Sequence, residues 1–471
     1  MIDYIIIAAY ILGVLGLGVW CSKSNKTLKE FAVSNSDFGT FFIFTTLSAS
    51  FIGGGFSLGN AAKVYSEGIY YSVMLLGFSL QIILVSLLVV PHISKHVNAI
   101  SVGDIIEPCY GKSGRITGGI LSFCSCAGIL GAQIGGMGAI LESLLGIPYF
   151  AGALIGCAVI LIYSTIGGIK AVVLTDAVQF CLLIVAVPLL LIIGIYRAGG
   201  VNAVIEQLPP ERLQLQPDGV PPSAILSLFL VFFIGETLVP PYVQRLLISR
   251  DRRKLMFGTF WSGVLSVPFF LVSGAIGLVA LILLPEIDAN TTFPAMVKLL
   301  IPTGLKGIVI ASIMAIVMSS ADSFLHSASV AVVKDVYLPL AGSENMPDRH
   351  KLLAAQFVNV VTGAAALLFV LFIPNILDVL VFAYNFWSPL ILVQLVSALI
   401  GLKVRKSSFF VGFFAGLAGS LAWNLTLGRK IPFDGLLVGV ACNLICFTLY
   451  NLVRRPPTVA QKDEKDSLIL S

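Results

Sequence analysis

The chain has 471 residues, of which 57% are hydrophobic and 11% charged, with a formal net charge of +5. A soluble domain carries about 25% charged residues, so this chain has too few charges to coat a water-facing surface. The positive balance does not imply nucleic acid, because its lysines and arginines cluster in short segments between apolar runs.

Runs long enough to cross about 30 Å of hydrocarbon recur along the whole chain. In order, the predicted spans are 3–21, 39–62, 69–91, 117–145, 149–166, 171–196, 222–247, 256–284, 306–333, 352–374, 377–402, 408–427 and 434–453. The expected fold is an all-α polytopic membrane protein of about 13 transmembrane helices. The first run follows Met1-Ile2-Asp3, with no basic segment before it and no small-residue cleavage site before Lys23, so it reads as a permanent helix.

An odd number of spans puts the termini on opposite faces. One set of connecting segments, Arg245 among its residues, carries 22 lysines and arginines and the other carries seven. The positive-inside rule then places the N-terminus outside and the C-terminus inside. No connecting segment is long enough for a soluble domain, the longest being 197–221 and 91–116, and the tail after Arg455 has the composition of a disordered segment. The eight cysteines fall mostly inside apolar runs and read as small packing residues.

Two spans contain residues that a continuous lipid-facing helix avoids. The second holds Gly53-Gly54-Gly55 among Thr45, Thr46, Ser48 and Ser50, and the seventh holds Glu236 followed by Pro240-Pro241. Glycine costs about 1 kcal/mol and proline about 3 kcal/mol in a helix interior. Irregular backbone persists at membrane depth where it is buried in protein or lines a cavity. The two interrupted spans lie five apart and therefore run in opposite directions, the arrangement of a carrier built from inverted repeats.

Several polar residues need partners at this depth. Asp322 lies in Met318-Ser319-Ser320-Ala321-Asp322-Ser323, where carboxylate and hydroxyl oxygens suit a hard cation. His326, one turn on, is a candidate partner for it. Asp176 follows Thr175 near the start of the sixth span and reads either as a helix cap or as a functional carboxylate. Glu236 faces a coupling ion, a cationic solute or a protein group such as Gln133. Gly55-Phe56-Ser57-Leu58-Gly59 has the spacing of a nucleophile elbow but lies inside a span with no strand before it, and no phosphate-binding glycine loop occurs, so no enzyme is expected.

The run Gly167-Gly168 to Thr175-Asp176-Ala177-Val178-Gln179, the Met318–Ser323 run and Pro241-Tyr242-Val243-Gln244-Arg245 with its basic sequel resemble the sodium:solute symporter family, over about residues 1–400. The resemblance implies a leucine-transporter-like core of two inverted five-helix repeats. It divides the chain into an extra helix and loop (1–35), a first repeat (36–220), a second repeat (221–402), two further helices (403–455) and a cytoplasmic tail (456–471). It implies Na+ as coupling ion, held by the carbonyls of Phe44, Leu47 and Ile316 and the hydroxyls of Ser319 and Ser320. Some members have a second sodium site, which maps onto Asp176, Asp322 and Ser323. Solute is expected near Ser48, Phe51, Gln133, Glu236 and Trp387.

Residues 46–65 look most like high-affinity choline transporters, but the aromatic cage of that branch maps onto Phe51, Ile129 and Val239, and only one ring is retained. The implied activity is sodium-coupled symport of a small organic solute, with preference for a cationic or zwitterionic amine or amino acid. A carrier for a monocarboxylate or vitamin, or a non-transporting sensor or scaffold with the same fold, is the alternative. The expected partners are a small solute and the lipid bilayer, with no nucleic acid, in a monomeric or weakly oligomeric protein of the plasma membrane, the cytoplasmic membrane if bacterial.

Overall fold

The computed structural model describes residues 1–454 apart from 24, 35–36, 344, 371–382 and 386. The regular structure among them is helical. We label the helices α1 (Ile2–Ser22), α2 (Leu28–Val33), α3 (Thr40–Phe51), α4 (Gly55–Glu67), α5 (Tyr70–His96), α6 (Val102–Leu145), α7 (Tyr149–Arg197), α8 (Val201–Gln207), α9 (Pro222–Ile234), α10 (Pro240–Leu246), α11 (Arg252–Leu283), α12 (Thr292–Leu300), α13 (Leu305–Ala341), α14 (Asp348–Val370), α15 (Ser388–Ile400), α16 (Ser408–Leu425) and α17 (Gly435–Val453). Among the described residues nine helices are long and apolar enough to cross a membrane, and α3 with α4 forms a further bent pair at 58°.

The predicted spans find helical counterparts, with three local differences. Spans 149–166 and 171–196 are the two halves of α7, two helices that meet at a kink at Gly168 with no coil between them. Only Gly168 leaves the helical region, at φ 58° and ψ −161°, and a Cβ there would press on Phe31 and Asn25. The fourth span begins earlier than 117: Ser101 accepts the Asp104 N–H as an N-cap, and the chain turns at Gly111 (φ 75°) before entering the apolar run. The third difference lies at Pro240-Pro241, where the expected interruption of the seventh span falls just before the prolines, which open α10 at its first two positions. Proline suits a helix start, where its missing N–H has no intrahelical acceptor. The start of span 377–402, the end of span 352–374 and the tail 456–471 lie outside the described residues.

At the centre stands α13, buried along 94% of its most apolar stretch, whereas α1 is buried along 22% of its own. Its neighbours are α6, α7 and α1. Polar ties fasten helix ends that are distant in sequence. Asp3 accepts the N–H groups of Gly304 (2.9 Å) and Gly307 (2.7 Å) at the start of α13. Lys95 donates to the Ile400 carbonyl, Lys254 pairs with Asp37 at 2.8 Å, and the Asp434 N–H donates to Ser227. At the other end of α13, Asp335 accepts from Ser101 Oγ and the Gly103 N–H, with Arg115 Nε 3.5 Å away.

Candidate ion and solute site

The helical ladder of α3 ends with the Ile52 N–H donating to the Ser48 carbonyl, and Ile52 leaves the helical region at ψ 55°. Beyond it the Gly54 N–H donates to Gln133 Oε1 at 3.3 Å, and Ser57 Oγ donates back to the Gly53 carbonyl at 2.7 Å. A side chain on Gly53 would collide with Ser320 Oγ, so the close approach of this turn to α13 requires glycine.

A second break separates α9 from α10. Gly235 closes α9, Leu238 takes a left-handed φ of 54°, and Val239 leads into Pro240. That conformation is strained for a γ-branched residue and is held from α15. Trp387 Nε1 donates to the Thr237 carbonyl at 2.9 Å, and Ser388 Oγ donates to the carbonyls of Ile234 and Gly235. These donors satisfy the backbone acceptors that the break removes from the ladder.

Between the breaks lies a cavity of about 10 Å³ lined by Phe51, Gly53, Phe56, Gln133, Glu236 and Tyr384 among others. That volume is about one water, so the centre is closed around itself. Glu236 is 4% exposed, and its two oxygens accept from Tyr242 Oη (2.7 Å) and Tyr384 Oη (3.0 Å). Both donors are neutral, and no cation pairs with this carboxylate among the described residues. Phe51, Phe56 and Phe324 supply ring surface in the same wall.

Next to this cavity two serines of α13 meet the end of α3. Ser319 Oγ donates to the carbonyls of Ala49 (2.9 Å) and Ile316 (3.1 Å), and Ser320 Oγ donates to the Ser50 carbonyl (3.1 Å). Carbonyl and hydroxyl oxygens thus converge from two helices, a neutral and hard donor set. Deeper along α13, Arg245 is fully buried and reaches Asp176 Oδ2 at 3.4 Å and Ser323 Oγ. Thr46 Oγ1 donates to the same Asp176 oxygen at 2.5 Å, and Tyr163 Oη donates to Asp322 Oδ2 at 2.6 Å. Asp176 Oδ1 meets no donor among the described residues.

The profile of the sodium:solute symporter family matches residues 31–416. The chain belongs to that family. Sodium-coupled solute symport across a plasma membrane is its activity, and sodium is its coupling ion. The symporter is 25% identical to the sodium/pantothenate symporter of Escherichia coli over 77% of its own length and 78% of that protein's. It is 25% identical to the human high affinity choline transporter 1, over 90% of this chain and 76% of the relative. A Na+-coupled sialic acid symporter, solved substrate-bound and outward-open, superposes with a TM-score of 0.82 at 19% identity, covering 97% of this chain and 98% of that one, and so shares its fold.

Within the symporter the predicted residues fall into four groups. Phe51, Gln133, Glu236 and Ser320 line the central cavity, and Ser319, Ile316, Ser323, Asp322 and Asp176 join the hydroxyl and carboxylate cluster. Phe44 and Leu47 lie inside the continuous part of α3, where Phe44 packs on Phe180, and the carbonyls facing the serines are those of Ala49 and Ser50. The helix has to run to Phe51 before glycine ends it, which moves the meeting point further along the chain. Ser48 and Trp387 stand behind the cavity wall, Trp387 as a prop for the break.

Three partnerships differ from expectation. His326 does not meet Asp322 but lies against Phe31 and the Ala32 carbonyl. Glu236 takes tyrosines and leaves Gln133 to Gly54. Arg245, grouped with the solvent-facing basic loop, is drawn inside by the buried carboxylate of Asp176. Tyr163 and Tyr384 carry no motif, and Tyr242, though inside the Pro241–Arg245 run, has nothing there that names Glu236 as its partner. Their only signal was a hydroxyl-bearing ring in an apolar span.

Proposed function

We propose that this symporter carries a small cationic or zwitterionic amine, bound between the two helix breaks with its positive group at Glu236. The observation that supports this is a buried carboxylate held by two neutral tyrosine hydroxyls and faced by Phe51, Phe56 and Phe324. A carboxylate and ring faces together are the chemistry that recognises ammonium groups. The human choline transporter among the relatives fits this reading. The pantothenate symporter favours a second one, a vitamin or monocarboxylate. An anion 5 Å from Glu236 would meet a repulsion of about 3 kcal/mol at an effective dielectric constant of about 20, which disfavours it.

In this reading one sodium sits between the Ala49 and Ser50 carbonyls of α3 and Ile316, Ser319 and Ser320 of α13. Arg245 supplies a fixed positive charge among Asp176, Asp322 and Ser323, the position of a second sodium in some family members, and that supports coupling to one ion. A tenfold sodium gradient is worth about 1.4 kcal/mol and 100 mV about 2.3 kcal/mol more. One sodium therefore concentrates a neutral zwitterion about 500-fold.

The topology we assign has thirteen spans, N-terminus outside, with ten helices from residue 36 to 402 forming two inverted repeats, an extra first span and two after the core. The long-range ties support it, since Asp3–Gly304, Lys95–Ile400, Lys254–Asp37 and Asp434–Ser227 each join segments that this count places on one face. One span more or fewer between Asp3 and Asp434 would put at least one of these pairs on opposite sides of the bilayer.

The test is thermal stabilisation of purified protein by choline, L-proline, glycine betaine and pantothenate, with and without sodium. Sodium-dependent stabilisation by the amines supports the assignment, and stabilisation by pantothenate alone overturns it in favour of the carboxylate.

A further inference from the structure

A second cavity of about 10 Å³ lies beside the central one and shares Phe51 with it. Its other walls include Leu47, Gln81, Tyr242, Leu246 and Thr259. Leu246 in turn borders a wider cavity of about 370 Å³, which carries Lys29, Arg250 and Arg252 at the basic end of the molecule. The three spaces form a series from the centre to one face. The ring pair of Phe51 and Tyr242, 4.5 Å apart and edge to face, divides the first from the second.

The middle space has a feature that a packed helix interface does not need. Gln81 is 2% exposed and Thr259 is 1% exposed. Both amide atoms of Gln81 and the hydroxyl of Thr259 are without a hydrogen-bond partner among the described residues. Buried polar groups are satisfied in almost all folded proteins, and an apolar pair would pack this contact of α5 and α11 without that cost. Two unpaired polar side chains from different helices converge on one small space, next to the solute site and on a line to the exterior.

We propose that Gln81 and Thr259 form a transit site for the transported solute, occupied after it leaves Glu236 and before it reaches the basic vestibule. The inference rests on the function proposed above. The central site offers a full charge, whereas the transit site offers an amide and a hydroxyl, which accept or donate to an amine or carboxylate in turn. Contacts of that kind hold a solute loosely, as a station on a conduction path must. Movement of the Phe51 ring away from Tyr242 joins the two spaces.

The experiment compares the wild type with Gln81→Leu, Thr259→Val and the pair in proteoliposomes. Uptake of radiolabelled choline and L-proline is followed beside equilibrium binding of the same probes in detergent. Turnover in the paired variant should fall about tenfold, about 1.4 kcal/mol, while binding affinity stays within about twofold. Wild-type turnover in the pair would mean that the space holds water only and overturns the proposal. So would a loss of affinity matching the loss of turnover, because the effect would then lie at the central site. If the wild type takes up neither probe, the amine reading fails. The transit site is then judged by labelling Gln81→Cys with ethylammonium methanethiosulfonate in a background lacking the native cysteines. Sodium should slow that labelling, and an unreactive cysteine in both conditions refutes the site.

Discussion

Replacing Glu236 by glutamine isolates charge from shape. Both tyrosines keep a partner in Glu236→Gln, since the amide oxygen accepts from one hydroxyl and the amide nitrogen donates to the other. Thermal stability in the absence of solute should therefore shift little. An ammonium 5 Å from the carboxylate gains about 3 kcal/mol at an effective dielectric constant of about 20, and part of that gain offsets removal of the ammonium from water. The expected loss is 1.4 to 2.8 kcal/mol, or about 10- to 100-fold in affinity. Sodium-dependent binding of choline and L-proline to purified protein reads this directly, with the sodium affinity measured alongside. Unchanged affinity for every cationic and zwitterionic solute, in a variant that still binds sodium, would refute the role of Glu236.

Ser319→Ala and Ser320→Ala each remove one hard oxygen facing α3, and the sodium concentration for half-maximal thermal stabilisation should rise about five- to tenfold. An unchanged sodium titration would eliminate the proposed ion site. Asp176→Asn leaves Arg245 without its charge partner and should cost about 3 kcal/mol of stability, whereas Asp176→Asn with Arg245→Gln should recover most of it. Additive losses in that cycle would show that the pair is not coupled. Trp387→Phe deletes the donor to the Thr237 carbonyl and should destabilise by about 1 to 3 kcal/mol, lowering solute affinity as the break loosens. A variant with wild-type melting and binding would remove Trp387 as the prop.

The large features were legible because each rests on a term that dominates in lipid. Span positions follow from the cost of burying charge, and breaks follow from Gly53-Gly54-Gly55 and from Glu236 lying where no solvated carboxylate belongs. The finer features depend on pairings between distant segments. The resemblance that implies Phe44 and Leu47 runs through a stretch rich in serine and glycine, where nothing local fixes register. The helix in fact continues to Phe51, and Ala49 meets Ser319. Arg245 looked like one more basic loop residue because its burial depends on Asp176, 69 positions away. Of the tyrosines that hold Glu236, Tyr242 lies in a run that does not name its partner, and Tyr384 reads like a tyrosine at a membrane interface.

The hook between Asp3 and α13 has a consequence for biosynthesis. The acceptor belongs to a helix made well before its two donors, which lie 301 and 304 residues downstream. At about 5–20 residues per second, α1 waits about 15–60 s in the bilayer before its anchor exists. A helix that must stand alone in lipid for that long benefits from a surface suited to lipid on nearly every side, and α1 is the least buried of the long helices. Assembly of the carrier core is thereby tied to completion of the ninth predicted span, and a chain that stalls before Gly304 would be left with its first helix unanchored.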